Sequence, residues 1–375
     1  MQKANIGIIG AGVVGTAIAR YLARNYRDRM EIKVLEKHLD VCMETSRLNS
    51  GVNHSGFHQE PDSLKAKLAF RGSQLMKNYV EKNLPESDHL NCGMLIAVSW
   101  QGRIKSIFED FSSLAHLLKR GRKQKINFEF LGPRGIRKIE PNIKALGGIF
   151  IPQVLVIDPV AITNSLYLDA SSAGAEFIFN SRVIRIVVAK DHYIVCTDKE
   201  EYRFECLINS AGLYADEISS LAGIDQYTIY PWRGEYYQLV GLPANYINSL
   251  VYPTVSKNSP GKGIHFRPLM NGKVLIGPSA KLVDSKSDYT DNRIPKKVFL
   301  KEAQKFFPDI KEENLIPSYA GIRPKLRKDG QEEDFIIRID RNKPPLINLI
   351  AIESPGLSAS MAIAEYVGNL VAQVR

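Results

Sequence analysis

Apolar positions along this chain alternate between two spacings. Short continuous apolar runs end at glycines, and between them apolar residues recur every three or four positions. Residues 5–9 (NIGII) read as a buried strand, Ile18, Ala19 and Leu22 as the inner stripe of a helix, and residues 32–35 as a second strand ending on Glu36. Leu64, Leu68, Phe70, Leu75, Met76 and Tyr79 predict a long amphipathic helix over 61–82, and a strand over 92–98 follows a turn at 85–91. Residues 107–118 have helical spacing, whereas 132–142, rich in Pro, Gly and charge, read as a linker or short helical turns. Asp158-Pro159 places an N-cap and an N1 proline at the start of a helix of about 15 residues.

Beyond that helix, residues 176–188 and 193–209 alternate as strands do, with an Asp191-His192 turn between them. A strand ending at Asn209 passes through Ser210-Ala211-Gly212 into a helix over 214–221. Strands are expected at 235–240, 263–267 and 273–276. The last strand, 347–352, passes through Ser354-Pro355-Gly356 into a helix over 358–374.

The first of these units carries chemistry. Gly10-Ala11-Gly12-Val13-Val14-Gly15 joins strand to helix, and Glu36 ends the next strand about 20 residues later, the arrangement of a dinucleotide site. Gly10 permits the tight turn, Gly12 and the Val14 amide let backbone approach a pyrophosphate, and Gly15 lets the helix pack on the strand. Glu36, with Lys37 beside it, suits the ribose of an adenosine. The competing reading is a glycine-rich turn in an ordinary βαβ unit. Two further strand–Gly–helix turns, at 210–214 and 354–358, lie far along the chain. A nicotinamide enzyme needs one such unit. A long cofactor with adenosine at one end and a flavin at the other can use all three, which favours FAD.

With 375 residues, 44% of them apolar and 24% charged, the composition is that of a globular protein of two domains. The expected fold is mixed α/β. A Rossmann-like FAD-binding domain with a parallel sheet is drawn from 1–84, 143–224 and 317–375, and a smaller antiparallel-sheet substrate domain from 85–142 and 225–316. No apolar run approaches a membrane span, and the first strand occupies the place of a signal peptide. Cys42, Cys92, Cys196 and Cys206 lack metal-site or framework spacing, so no metal site is expected and the cysteines read as reduced thiols of a cytoplasmic protein. The net charge of +10, with a cluster at 119–125 (KRGRKQK), has three explanations: an anionic substrate, an anionic membrane surface with peripheral contact at its inner face, or nucleic acid. The last lacks any supporting motif and is set aside.

Several blocks carry a family resemblance. They are Glu44-Thr45-Ser46, then Asn49-Ser50-Gly51-Val52-Asn53-His54-Ser55-Gly56, Ser63 to Leu68, Ala211-Gly212, Arg233-Gly234-Glu235-Tyr236-Tyr237, Gly263-Ile264-His265-Phe266, Gly277-Pro278, Ala320-Gly321-Ile322-Arg323 and Ser354-Pro355-Gly356-Leu357. In this order they resemble the D-amino-acid oxidase and glycerol-3-phosphate dehydrogenase superfamily of FAD-dependent oxidoreductases. Within it, the chain is similar to the L-2-hydroxyglutarate dehydrogenases and oxidases. The short glycerol-3-phosphate oxidases share the NSGV-H-G block, the SPGL turn and an Ile322-Arg323-Pro324-like sequence. The absence of an extended C-terminal domain sets it apart from the long glycerol-3-phosphate dehydrogenases.

The resemblance implies oxidation of a secondary alcohol beside a carboxylate, with L-2-hydroxyglutarate as substrate, or else glycerol 3-phosphate, and with a quinone or oxygen as electron acceptor. A non-catalytic flavin-binding module is the third reading. The proton acceptor needs a pKa near neutrality, which selects His54 and then His265, while His58 is expected to have no catalytic role. Arg233, Arg267 and Arg323 are candidates to hold carboxylates, each against the alternative of a structural salt bridge. Tyr237 could offer its hydroxyl to substrate, or else pack in a strand. For the cofactor the resemblance adds Thr45, Ser46, Asn49, Ser50 and Gly51 near the pyrophosphate and flavin, and Val183 at the adenine. It also places Ala211, Gly212, Ser354, Gly356, Leu357 and Ser358 at the ring end, with a helix N-terminus there stabilising negative charge, and counts Arg323 among the cofactor contacts as well.

Overall fold

The computed structural model describes residues 4–101, 104–254 and 263–374. Its first layer is a six-stranded sheet in the order Ile336–Asn342, Pro345–Ile350, Cys206–Asn209, Ala4–Ile9, Met30–Leu35, Glu176–Ile178. All neighbours are parallel except the first pair. The three central strands are those that end in the glycine turns, so the turns at 10–13, 210–212 and 353–356 lie side by side at the carboxyl edge of the sheet. Open parallel sheets bind ligands at that edge.

One face of this sheet is covered by the helices Val13–Tyr26, Leu64–Asn83, Pro159–Ser172 and Gly356–Gln373, around a core that includes Ile6, Ile8, Ile18, Val34, Met76, Ile208 and Ile363. Asp158 caps its helix through Val160 and Ala161 N–H groups as the pattern requires, and Ser63 caps the helix that starts at Leu64. The other face carries a three-stranded antiparallel sheet, Val183–Val188, Tyr193–Thr197 and Glu201–Phe204, packed around Tyr193, Val195 and Phe204. The two long alternating runs expected over 176–188 and 193–209 are thus five strands divided between two sheets. The first run breaks at Asn180, whose φ is +50° and whose N–H donates to the His38 carbonyl. The second breaks at a turn where Thr197 accepts from Lys199 and Glu200.

The second layer is a nine-stranded sheet with strand order Lys281–Leu282, Tyr230–Leu239, Val274–Gly277, His265–Pro268, Leu250–Pro253, Met94–Ser99, Ala145–Ile151, Glu129–Leu131, and with Leu315–Lys325 paired along Tyr230–Leu239. It is antiparallel except where Leu250–Pro253 runs parallel to Met94–Ser99, and it has more strands than the first sheet. The strand Ala145–Ile151, which the sequence division groups with 143–224, pairs here.

The helix Ile104–Lys123 extends into the basic cluster. There Arg120 bonds the His58 carbonyl and Glu60, and Lys123 meets Asp62 at 2.5 Å, so part of that charge is internally paired. No helix among the described residues is long and apolar enough to cross a membrane.

Candidate active site

A cavity of about 870 Å³ opens at the carboxyl edge of the parallel sheet and is walled by residues of both layers. That volume is in the range of a site for a large organic ligand. At one part of its wall, Gly10 (φ +100°) makes the turn and Gly12 starts the helix Val13–Tyr26 without a side-chain cap. A Cβ on Gly15 would meet the Gly10 carbonyl at 2.0 Å, so that glycine lies beneath the cavity and closes the turn. Glu36 is 8% exposed; its carboxylate accepts from the Ala11 N–H at 2.7 Å and the His38 N–H at 2.9 Å, which leaves lone pairs for ligand hydroxyls. Lys37 lies 3.4 Å from the Tyr214 ring centroid and 2.7 Å from Glu44. Burial alone would raise the Glu44 carboxyl, but hydrogen bonds from Lys37, His38 and Tyr289 outweigh it and hold it low.

The segment 45–51 is stitched to several elements. Thr45 donates to the Ile322 carbonyl, Ser46 Oγ accepts from the Val13 N–H at 3.0 Å, and Asn49 bonds both Ser46 and Gly51. Thr45, Ser46, Asn49, Ser50, Val14, Val183, Ala211, Gly212, Ser354, Gly356 and Leu357 all line the cavity. The helix Gly356–Gln373, like Val13–Tyr26, begins there with no side-chain cap. Two uncapped helix N-termini, a glycine cradle and a backbone-held acid fit a dinucleotide with two phosphates.

His54, His265 and Arg323 share the same cavity. His54 is 6% exposed, and its N–H donates to Ser358 Oγ. His265 starts a strand whose Phe266 turns into the second-layer core, so His265 faces the cavity. Tyr252, directly across from it by the Val251–Phe266 register, stacks on it with centroids 3.8 Å apart and meets His54 edge-on at 6.0 Å. Among the described residues, no cluster of three His, Cys, Asp or Glu is placed to hold a metal ion.

Other expected residues lie elsewhere. Arg233 is fully buried and does not line the cavity; it binds Glu235 at 3.0 Å, Asp288 at 2.6 Å, and the carbonyls of Asp291 and Asn292, the structural alternative. Tyr237 packs into the second-layer core, 4.6 Å from Phe299. Its neighbour Tyr236, on the opposite strand face, lines the cavity and stacks on Tyr319. Arg267 lies behind the wall under Gly51, where it bonds Tyr319. Gly51 and Ser358 likewise support the wall from behind. His58 flanks Tyr252, with ring centroids 5.9 Å apart. The sequence reading missed Tyr236, Tyr252 and Glu353; strand facing brings Tyr236 to the cavity, cross-strand register Tyr252, and the turn before the last helix Glu353.

Comparison with known proteins agrees with this geometry. A family model described as DAO, FAD dependent oxidoreductase, matches residues 5–370. The L-2-hydroxyglutarate dehydrogenase of Arabidopsis thaliana mitochondria is 31% identical, over 98% of this chain and 83% of that protein. The glycerol 3-phosphate oxidase of Mycoplasma pneumoniae is 30% identical, over 97% of this chain and 93% of that protein. The FAD-bound, dithionite-reduced L-alpha-glycerophosphate oxidase of Mycoplasma pneumoniae superimposes with a TM-score of 0.87 at 28% identity, covering 99% of this chain and 95% of that one. The chain belongs to the DAO family of FAD dependent oxidoreductases, with FAD as its cofactor.

Proposed function

We propose that the chain oxidises L-2-hydroxyglutarate to 2-oxoglutarate. Bound FAD supplies the hydride acceptor at its N5 position. The observation that carries this reading is the meeting of a buried imidazole, His54, and a guanidinium, Arg323, in one cavity wall with the glycine cradle. In this reading His54 takes the hydroxyl proton, His265 stands as second candidate, and Arg323 with Tyr236 holds a carboxylate. Gly10, Gly12, Val14 and Ser46 hold the pyrophosphate, Glu36 and Lys37 the adenosine, and Val183 the adenine. Thr45, Asn49, Ser50, Ala211, Gly212, Ser354, Gly356 and Leu357 hold the ring half. Oxygen or a quinone re-oxidises the cofactor; relatives bear both oxidase and dehydrogenase names.

Glycerol 3-phosphate is the second reading, supported by the superposition on a glycerophosphate oxidase, and Arg323 would then hold a phosphate. Anaerobic stopped-flow mixing separates the two. L-2-hydroxyglutarate should bleach the flavin absorbance while glycerol 3-phosphate leaves it almost unchanged. The reverse preference transfers the assignment to the phosphate, and failure of both to bleach a fully loaded protein leaves a non-catalytic flavin module.

A further inference from the structure

Lys65 and Lys325 are 3% and 1% exposed, and they share a single buried counter-ion, Glu353. Lys325 Nζ donates to the Gly330 carbonyl at 2.7 Å and lies 3.4 Å from Glu353. Lys65 Nζ lies 3.6 Å from Glu353 and 5.0 Å from the Phe335 ring centroid, and it has no hydrogen-bond acceptor among the described residues. Its position is unusual as well, because it stands in the first turn of the helix Leu64–Asn83, where the helix dipole disfavours a cation. Asp334 spends its carboxylate on the Leu64 and Lys65 backbone N–H groups of that turn. Burial pushes the Lys325 ammonium below its usual pKa, and Glu353 pulls it back.

The triad adjoins the cavity, with Lys65 and Lys325 behind its wall. Glu353 lines the cavity and immediately precedes the turn at 354–356, from which the uncapped helix Gly356–Gln373 starts. Arg323, two residues before Lys325 and hence on the same strand face, also lines the cavity. Glu332, which also lines the cavity and acts on Lys325, is exposed and therefore partly screened. Two buried ammonium groups against one buried carboxylate leave an excess of positive charge in the interior, which the exposed carboxylates of Glu332 and Asp334 offset only in part and which an approaching anion would relieve. Delivery of a hydride to FAD, two electrons and one proton, leaves one negative charge on the isoalloxazine ring.

We infer that the Lys65–Glu353–Lys325 triad is an electrostatic positioning device that favours the reduced, negatively charged flavin. The inference rests on the reading that the 354–357 turn borders the ring. Its test needs no substrate, so it fails or stands separately from the assignment of L-2-hydroxyglutarate.

The FAD-loaded Lys65→Met, Lys65→Arg and Glu353→Gln proteins are compared with the parent at pH 6.5. The readouts are the flavin midpoint potential, by equilibration with a reference dye, and the dissociation constant for sulfite, which adds to the ring and leaves it negatively charged. Lys65→Met should lower the potential and weaken sulfite about 10-fold or more, as loss of a nearby charge in a poorly screened site does. Lys65→Arg should keep both near the parent values. Glu353→Gln should shift both in the opposite direction to Lys65→Met. Unchanged values, or shifts of one sign in Lys65→Met and Glu353→Gln, overturn the inference and make the triad a mechanical latch. Loss of FAD from all three variants overturns it in the same way.

Discussion

The backbone N–H of His54 donates to the Ser358 hydroxyl at 2.7 Å, across 304 residues of chain. Ser358 in turn donates to the Val52 carbonyl at 3.2 Å, so the first turn of the helix Gly356–Gln373 holds the histidine segment from behind. Both groups are buried. Ser358→Ala should therefore strand a buried N–H donor and lower stability by about 1–3 kcal/mol, read as a drop in thermal midpoint of the loaded protein. An unchanged midpoint would show that the segment is held by other contacts.

His54→Ala should keep the flavin spectrum and slow anaerobic flavin reduction by about 10²–10⁴-fold, the usual contribution of a positioned base. Near-parental single-turnover reduction would make His54 a wall residue only. Loss of the flavin would make it a cofactor contact and move the base to His265.

Gly12→Val should fold and lose FAD. A Cβ there meets only Ser46 Oγ at 2.9 Å, a side chain able to turn, but the added methyl groups occupy the cradle in front of an uncapped helix. The parent protein should hold about one FAD per chain by absorbance after denaturation, and retention of that stoichiometry in Gly12→Val would refute the cradle.

Arg233 and Arg323 should separate cleanly. Removing Arg233 leaves Glu235, 1% exposed, without its partner, and a broken buried pair costs about 3–5 kcal/mol, visible in urea unfolding. Arg323→Ala should leave unfolding nearly unchanged. It should instead weaken the dicarboxylate substrate by about 10- to 150-fold, the loss of one hydrogen bond to a charged group. A large stability loss in Arg323→Ala would identify it as a structural pair instead.

Tyr237→Phe should leave KM and kcat alone, because among the described residues its hydroxyl makes a single 3.5 Å contact, to the Ile294 carbonyl. Tyr236→Phe should raise KM, since that ring lines the cavity. Equal effects of the two changes would rule out this division of the strand faces.

The amino-acid pattern alone determined the first βαβ unit, its glycine turn and the helix starts at 64 and 159. Glycine turns, Asp158-Pro159 and the Ser63 cap are local signals, because φ freedom and first-turn N–H groups concern residues within a few positions. The placement of Gly10, Gly12, Gly15 and Glu36 about one turn was legible for the same reason: strand, turn, helix and acid lie within one continuous βαβ unit. Arg233-Gly234-Glu235-Tyr236-Tyr237 shows where such legibility ends. Alternation splits these residues into two faces, but only the sheet's packing decides that Gly234 and Tyr236 meet the cavity while Tyr237 meets Phe299. Arg233 likewise faces Asp288, 55 positions away, a partner that no spacing rule supplies. Tyr252 reaches His265 only through strand register, and Lys65 reaches Glu353 only when helix and turn pack together. Local backbone preferences act over a few residues and can be read along the chain, whereas the burial and pairing of a charged or aromatic side chain depend on which distant element the fold places against it.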